Sequence, residues 1–96
     1  MPIIRAPEPR YEPGYVYIFR VFPGVYKIGC SIDPEHRRKT LKRKFPEIEI
    51  VHLIKSDDYQ NAETHAHRLA QTRHIAAEYY ALTALDLEAF RAIKRL

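Results

Sequence analysis

Residues 14–29 read GYVYIFRVFPGVYKIG, and this stretch sets the fold expected for the chain. Its first half, residues 15–19, is dense in aromatic and β-branched residues, which suit a pleated strand. Pro23 and Gly24 signal a turn, and residues 25–28 have the composition of a second strand. Two such runs joined by a short loop predict a β-hairpin.

A helix and a third strand are expected after the hairpin. Asp33 and Pro34 are typical of a helix start, because aspartate caps the first turn and proline is tolerated at the first helical position. The helix is expected to run to about Lys44, since the residue before Pro46 avoids helical backbone angles. Alternating residues over 48–54 then predict a strand with one strongly apolar face.

The last third of the sequence predicts two more helices. One follows the cap candidate Asp58 and covers about residues 59–72. Residues 78–82 suit either a short strand or an extended segment, and Thr83 caps a final helix. The predicted class is therefore α+β: a small three-stranded antiparallel sheet flanked by helices, in the order ββαβα, followed by a short extended segment and a C-terminal helix.

The final helix carries a broad apolar stripe. Its members are Leu85, Leu87, Phe90, Ile93 and Leu96. This is more apolar area than packing on one side requires, which favours a homodimer.

Length and composition indicate one globular domain. The chain has 96 residues, of which 46% are hydrophobic and 29% charged. Four prolines fall in residues 1–13, which predicts an extended arm before a domain at 14–96. No run approaches the ~20 apolar residues of a membrane span. Cys30 is the single cysteine, which forbids an intramolecular disulfide and indicates a reducing, cytoplasmic setting.

Positive charge is concentrated between residues 37 and 44, where six of eight positions are lysine or arginine. The rest of the chain has a slight acidic excess, with ten Lys and Arg against twelve Asp and Glu. This concentration indicates an anionic partner such as a nucleic acid, although a solvated helix face has the same composition. The candidate nucleic-acid contacts after Arg37 are Arg38, Lys39, Lys42, Arg43 and Lys44.

Three side chains with complementary chemistry occur at intervals of ten residues: Tyr17, Lys27 and Arg37. A phenol can position or deprotonate water, while lysine and arginine neutralise charge on phosphoryl oxygens. The hairpin and the following helix can bring them together at one end of the sheet. The alternative is that Tyr17 only packs in the core, as one of three aromatic residues alternating along its strand.

The order and spacing of these residues resemble the GIY-YIG nuclease superfamily. The two tripeptides of that family match residues 15–17 (YVY) and 27–29 (KIG), and its helix arginine matches Arg37. Residues 26–37, YKIGCSIDPEHR, are similar to a small single-domain branch with a YKIG second motif. Residues 62–80 are similar to later positions of that branch. The chain departs from the family at Tyr15, where the family has glycine.

The resemblance implies a role for each matching residue. Tyr17 would orient or activate the attacking water, and Arg37 would hold the scissile phosphate. Lys27 stands where many members have a tyrosine, and would serve as a base or a phosphate clamp. Gly29 closes the second motif, where the missing Cβ allows a close approach of neighbouring atoms.

Active members of the family also bind one divalent ion through a glutamate on a later helix. Glu63 and His67 are the first candidates here, and Glu78 is the third. A carboxylate suits Mg²⁺, whereas an imidazole suits softer ions such as Mn²⁺. Glu63 and His67 are also spaced as a surface i,i+4 pair without catalytic meaning.

The function implied is a metal-dependent endonuclease, with Mg²⁺ or Mn²⁺, that hydrolyses phosphodiester bonds of double-stranded DNA. Two alternatives stay open. One is a catalytically inactive GIY-YIG-like module that binds nucleic acid. The other is a small protein-interaction domain whose basic helix meets an acidic partner.

Overall fold

The computed structural model describes residues 13–95. Residues 1–12, which make up most of the predicted arm at 1–13, lie outside this range, as does Leu96. The predicted hairpin forms from β1 (Gly14–Phe22) and β2 (Val25–Ser31), which pair antiparallel with Tyr17 opposite Gly29. The remaining elements are α1 (Pro34–Leu41), β3 (Glu49–Ser56), α2 (Tyr59–Leu69), β4 (His74–Ala76), β5 (Tyr79–Tyr80) and α3 (Ala84–Arg91).

The described strands make one antiparallel sheet of five strands, in the order β3-β1-β2-β5-β4. The α+β class agrees with the prediction from the sequence. The prediction of a three-stranded sheet, in the order ββαβα followed by an extended segment, was wrong. β5 adds to the outer edge of β2, and β4 adds to β5. β4 has three residues, all exposed, and its turn carries Ala77 with a φ of 46° instead of the usual glycine or asparagine. Neither hydrophobic alternation nor turn composition therefore marked this hairpin.

The helices begin at the predicted caps, and α1 and α2 end earlier than the sequence predicted. The Asp33 carboxylate accepts a hydrogen bond from the backbone N–H of His36 at 3.1 Å, and Thr83 forms a capping box with Asp86. α1 ends at Leu41 rather than near Lys44, because the next residues form tight turns bonded three positions back. Within residues 13–95, no helix has the length and apolar character needed to cross a bilayer.

The sheet is covered on both faces, and each face has its own core. On one face, α2 places its alanines Ala62 and Ala66 against Val16 and Ile18 of β1, with Phe90 of α3 in the same cluster. The small alanine side chains let α2 lie close to the strands. The other face carries the second cluster, whose buried members are Tyr17, Phe19, Val21, Phe45 and Ile48.

The apolar stripe of the last helix is partly buried and partly exposed. Phe90 is buried, and Leu87 and Ile93 pack against the α2-side core. Leu85 is 75% exposed.

β3 is an outer strand of the sheet, and the segment after α3 lies along one end of it. The Lys55 N–H donates to the Lys94 carbonyl at 3.2 Å, and Lys55 also forms a parallel bridge with Arg95. The Arg95 guanidinium contacts both carboxylate oxygens of Asp57, at 2.6 and 2.7 Å. This segment therefore covers one end of the β3 edge.

Candidate functional site

The candidate site lies at the end of β2, where the cover provided by β5 stops. β5 pairs with Tyr26 and Lys27, and one further backbone hydrogen bond joins the Ile28 N–H to the Glu78 carbonyl at 3.0 Å. Among the described residues, no strand pairs with the outer edge of β2 beyond that point. Side chains from both faces of the sheet can therefore meet around Gly29 and the residues that follow it.

Tyr17 and Gly29 fit together across the central pair of strands. Tyr17 is 1% exposed, and its ring stacks on Phe19 with centroids 3.9 Å apart and planes 13° from parallel. A Cβ at Gly29 would lie within 3.0 Å of three atoms of the Tyr17 side chain, including its hydroxyl oxygen. The absence of a side chain at Gly29 is therefore what makes room for the phenol.

The phenol, the lysine and the arginine that were predicted to meet are brought together. Burial raises the pKa of Tyr17 above its ordinary value of 10.0, so the hydroxyl is protonated at neutral pH. The charge of Lys27 and a hydrogen bond from Arg37 oppose this rise in the pKa of Tyr17. Both cations therefore lie close to the hydroxyl and favour its ionised form.

Lys27 is a buried cation with a carboxylate partner. Its residue is 5% exposed, and its ammonium is ion-paired with Glu78. The same Nζ lies 5.7 Å from the centroid of the Tyr79 ring, a cation–π distance. The structure thus places Glu78, the third metal candidate, against Lys27.

Glu63 reaches the same end of β2 from the α2 face. Burial raises the pKa of the Cys30 thiol to about 12, and a hydrogen bond to the Glu63 carboxylate adds to the rise. Glu78 also raises the pKa of Cys30, and Arg37 lowers it. Arg37 and Glu78 therefore act on both Tyr17 and Cys30, which makes one cluster with two carboxylates and two cations.

His67 lies near this cluster but uses both of its ring nitrogens. Its Nε2 lies 3.1 Å from the Ile28 carbonyl, which can only accept, so Nε2 carries the proton. Its Nδ1 then accepts a hydrogen bond from the Tyr80 hydroxyl at 2.6 Å. His67 thus contacts a carbonyl on the outer edge of β2 and holds the Tyr80 hydroxyl.

The basic residues after Arg37 differ in their surroundings. Arg38 is ion-paired with Glu35, one turn earlier on α1. Lys39 lies on α1, and Lys42 and Arg43 follow its end; all three are exposed. Lys44 is also exposed, and its ammonium lies 5.5 Å from the Phe45 ring centroid.

The sequence did not reveal the residues of β5 and its turn that contact Lys27 and His67. The ion pair of Lys27 with Glu78 and the contact of Lys27 with Tyr79 depend on the pairing of β5 with β2. The bond between Tyr80 and His67 depends on the same pairing. Residues 78–80 read EYY, and only a strand assignment next to Lys27 would have revealed these partners.

The fold and the cluster together define a small α+β domain with a polar site at the end of its central hairpin. The model of one protein family, the T5orf172 domain, matches residues 14–95, so the chain belongs to the T5orf172 domain family. Domains of this family are commonly nuclease-like or DNA-binding modules. No curated protein and no solved structure matches the chain significantly.

Burial of Cys30, together with the Glu63 carboxylate beside it, predicts slow alkylation of this single cysteine. A rise of the pKa from 9.0 to about 12 lowers the thiolate fraction near pH 8 about 1,000-fold. The greater nucleophilicity of a more basic thiolate recovers roughly 15- to 30-fold of this. Iodoacetamide is therefore expected to react about 30- to 60-fold more slowly than with a free thiol.

The substitution Glu63→Gln is expected to speed this reaction severalfold, because it removes a negative charge that raises the pKa of Cys30. Glu88→Gln, at an exposed position of α3, is the control and is expected to leave the rate unchanged. Mass spectrometry of the alkylated protein measures the rate. Equal rates for wild type and Glu63→Gln would contradict the placement of Glu63.

Proposed function

We propose that this chain is a metal-dependent endonuclease of the GIY-YIG type that hydrolyses phosphodiester bonds in double-stranded DNA. The observation that carries the proposal is the meeting of Tyr17, Lys27 and Arg37 at one open strand end, with Gly29 making room for the phenol. Membership of the T5orf172 domain family, which is related to GIY-YIG and HNH-like endonucleases, supports it.

The two cations suit a phosphate and the phenol suits a water molecule. Arg37 offers planar N–H donors for two phosphoryl oxygens, and Lys27 offers a compact charge beside them. In this proposal the ionised Tyr17 oxygen takes a proton from the attacking water. The water oxygen bonds to phosphorus in line as the bond to the leaving 3′ oxygen breaks, and solvent protonates that oxygen.

The residues also fit a single Mg²⁺ or Mn²⁺ ion. Mg²⁺ at phosphoryl-transfer sites is commonly held by one or two carboxylates together with the substrate phosphate. Glu63 is the candidate ligand, because its carboxylate accepts from the weak thiol donor of Cys30, whereas Glu78 is paired with the Lys27 cation and both ring nitrogens of His67 have partners. When bound, the ion would stabilise negative charge on the leaving oxygen.

The exposed cations on and after α1 suit the DNA backbone on either side of the scissile phosphate. Lys39, Lys42, Arg43 and Lys44 are exposed, whereas Arg38 shares its charge with Glu35. Such contacts give sequence-independent affinity that falls as salt is added. The domain is therefore proposed to bind DNA through its backbone and to cut with little base preference.

A plasmid-nicking assay with Mg²⁺ and with Mn²⁺ tests the proposal. Arg37→Ala is expected to slow nicking about 100- to 1,000-fold, the effect of removing one donor to developing negative charge. Arg91→Ala is the matched control, since it removes the same charge from an exposed position of α3. Nicking by Arg37→Ala at the wild-type rate would contradict the role of Arg37.

A second candidate is a DNA-binding module without catalysis. It is favoured by one observation: two of the three candidate metal ligands already have partners, Glu78 with Lys27 and His67 with the Ile28 carbonyl and the Tyr80 hydroxyl. Binding of duplex DNA that weakens steeply with salt, without nicking in either ion, would select this candidate. Failure to bind DNA at low salt would exclude both and favour a protein partner.

A further inference from the structure

An apolar pocket of about 310 Å³ lies beside the site, on the face of the sheet that carries Tyr17. Its main lining residues are Phe22, Val25, Lys44, Phe45, Ile75 and Tyr79. The volume is at the lower end of the ~300–1,000 Å³ range of small-molecule pockets, so it suits one ring system rather than a helix. The pocket lies between the tip of the β1–β2 hairpin and strands β4 and β5.

Two of the lining residues are exposed in spite of their size. Phe22 and Ile75 are each 53% exposed. Phe22 meets Phe45 edge to face, with centroids 5.4 Å apart, and Phe45 meets Tyr79 at 5.9 Å. The pocket therefore presents apolar surface, from Phe22 and Ile75, that no described residue covers.

The pocket borders the candidate site at one aromatic ring. Tyr79 lines the pocket, and the Lys27 ammonium lies 5.7 Å from the centroid of its ring. A group bound in the pocket is thus separated by a single side chain from the cation proposed to hold the phosphate.

The charge at the rim of the pocket is positive. Lys44 is the charged residue of the lining, and its ammonium lies 5.5 Å from the Phe45 centroid. An occupant with a flat apolar face and an attached anion matches aromatic walls, a cationic rim and a phosphate site next door. A nucleotide has this combination, because its base carries a π-face and its sugar carries the phosphate.

We infer that this pocket takes one unstacked nucleobase of the bound strand, next to the phosphate held at Lys27 and Arg37. The inference rests on the proposed binding of DNA but not on cleavage. A base within a regular duplex is stacked on both faces, so the occupant is an unpaired or extruded base. The domain therefore prefers DNA with an unpaired nucleotide over a fully paired duplex.

Fluorescence anisotropy in EDTA tests this with two ligands of equal charge. One is a duplex with a single bulged adenine nucleotide, and the other has an abasic nucleotide at the same bulge. Because stacking of one base on aromatic side chains contributes measurably to affinity, the adenine bulge is expected to bind at least fivefold more tightly. Ile75→Ala and Phe22→Ala are expected to bring the ratio close to one without changing the affinity for the abasic ligand.

Leu85→Ala is the control, because Leu85 is equally apolar, 75% exposed, and lies on α3 outside the pocket. The unchanged abasic affinity also reports that each variant is folded. Tight but equal binding of both ligands by the wild type would overturn the inference and leave DNA binding intact. No binding of either ligand would overturn the inference and the proposed DNA binding together. If the wild type is a dimer that Ile75→Ala dissociates, and the ratio of the two affinities is retained, the pocket belongs to an interface with a second copy of the chain.

Discussion

Tyr17→Phe is expected to slow DNA nicking by about 100- to 10,000-fold, the usual contribution of a general base. The phenol is 1% exposed and lies beside two cations, so the substitution removes one oxygen without leaving a large cavity. Initial rates on supercoiled plasmid measure the effect. Tyr26→Phe, on the neighbouring strand with its ring against the opposite core, is the matched control and is expected to nick at the wild-type rate.

The same residue predicts the pH dependence of the wild type. The pKa of Tyr17 is raised above 10.0, so the reactive phenolate is a small fraction at neutral pH and grows as pH rises. The nicking rate is expected to increase about tenfold per pH unit between pH 7 and pH 9. A rate that is flat across this range, together with full activity of Tyr17→Phe, would assign the base to another group.

Gly29→Ala is expected to slow nicking as much as Tyr17→Phe does and also to destabilise the fold. A Cβ at this position would overlap the Tyr17 ring, which lies across Gly29 and is stacked on Phe19. Overpacking of this kind costs roughly 1–3 kcal/mol of unfolding free energy. Thermal denaturation should show a decrease in Tm of about 4–8 °C for each kcal/mol.

A double-mutant cycle separates the overlap from other effects of the methyl group. When Tyr17 is already Ala, the change Gly29→Ala is expected to have almost no further effect on Tm. An equal loss in both backgrounds would show that the overlap is not the cause. Gly24→Ala is a second control, because its φ of 74° makes the change destabilising while the open space around it leaves nicking unchanged.

Local signals predicted the elements that have strong local causes. The β1–β2 hairpin follows from aromatic runs on either side of Pro23 and Gly24, and the caps at Asp33 and Thr83 fix two helix starts. β4 lacks such a cause, and β5 lies within residues 78–82, for which the sequence left a short strand and an extended segment open. Their turn uses Ala77 in a left-handed conformation, and their stability comes from pairing with β2, which no local pattern encodes.

The sequence indicated which side chains make up the site, but not the partners that surround them. Equal spacing of Tyr17, Lys27 and Arg37 on a hairpin and the next helix anticipated their meeting, because consecutive elements tend to be neighbours. The roles of the three metal candidates depend on tertiary partners instead. Glu78 faces Lys27, and His67 bonds a backbone carbonyl and Tyr80; both contacts follow from how β5 and α2 meet β2.

The segment that follows α3 bears on how this domain avoids aggregation. An outer strand with free N–H and carbonyl groups is a template onto which another chain can add. At Lys55 that position is occupied from within the molecule by Lys94 and Arg95. A neighbouring molecule therefore meets a blocked and positively charged end of the sheet, which opposes growth into fibrils from this side.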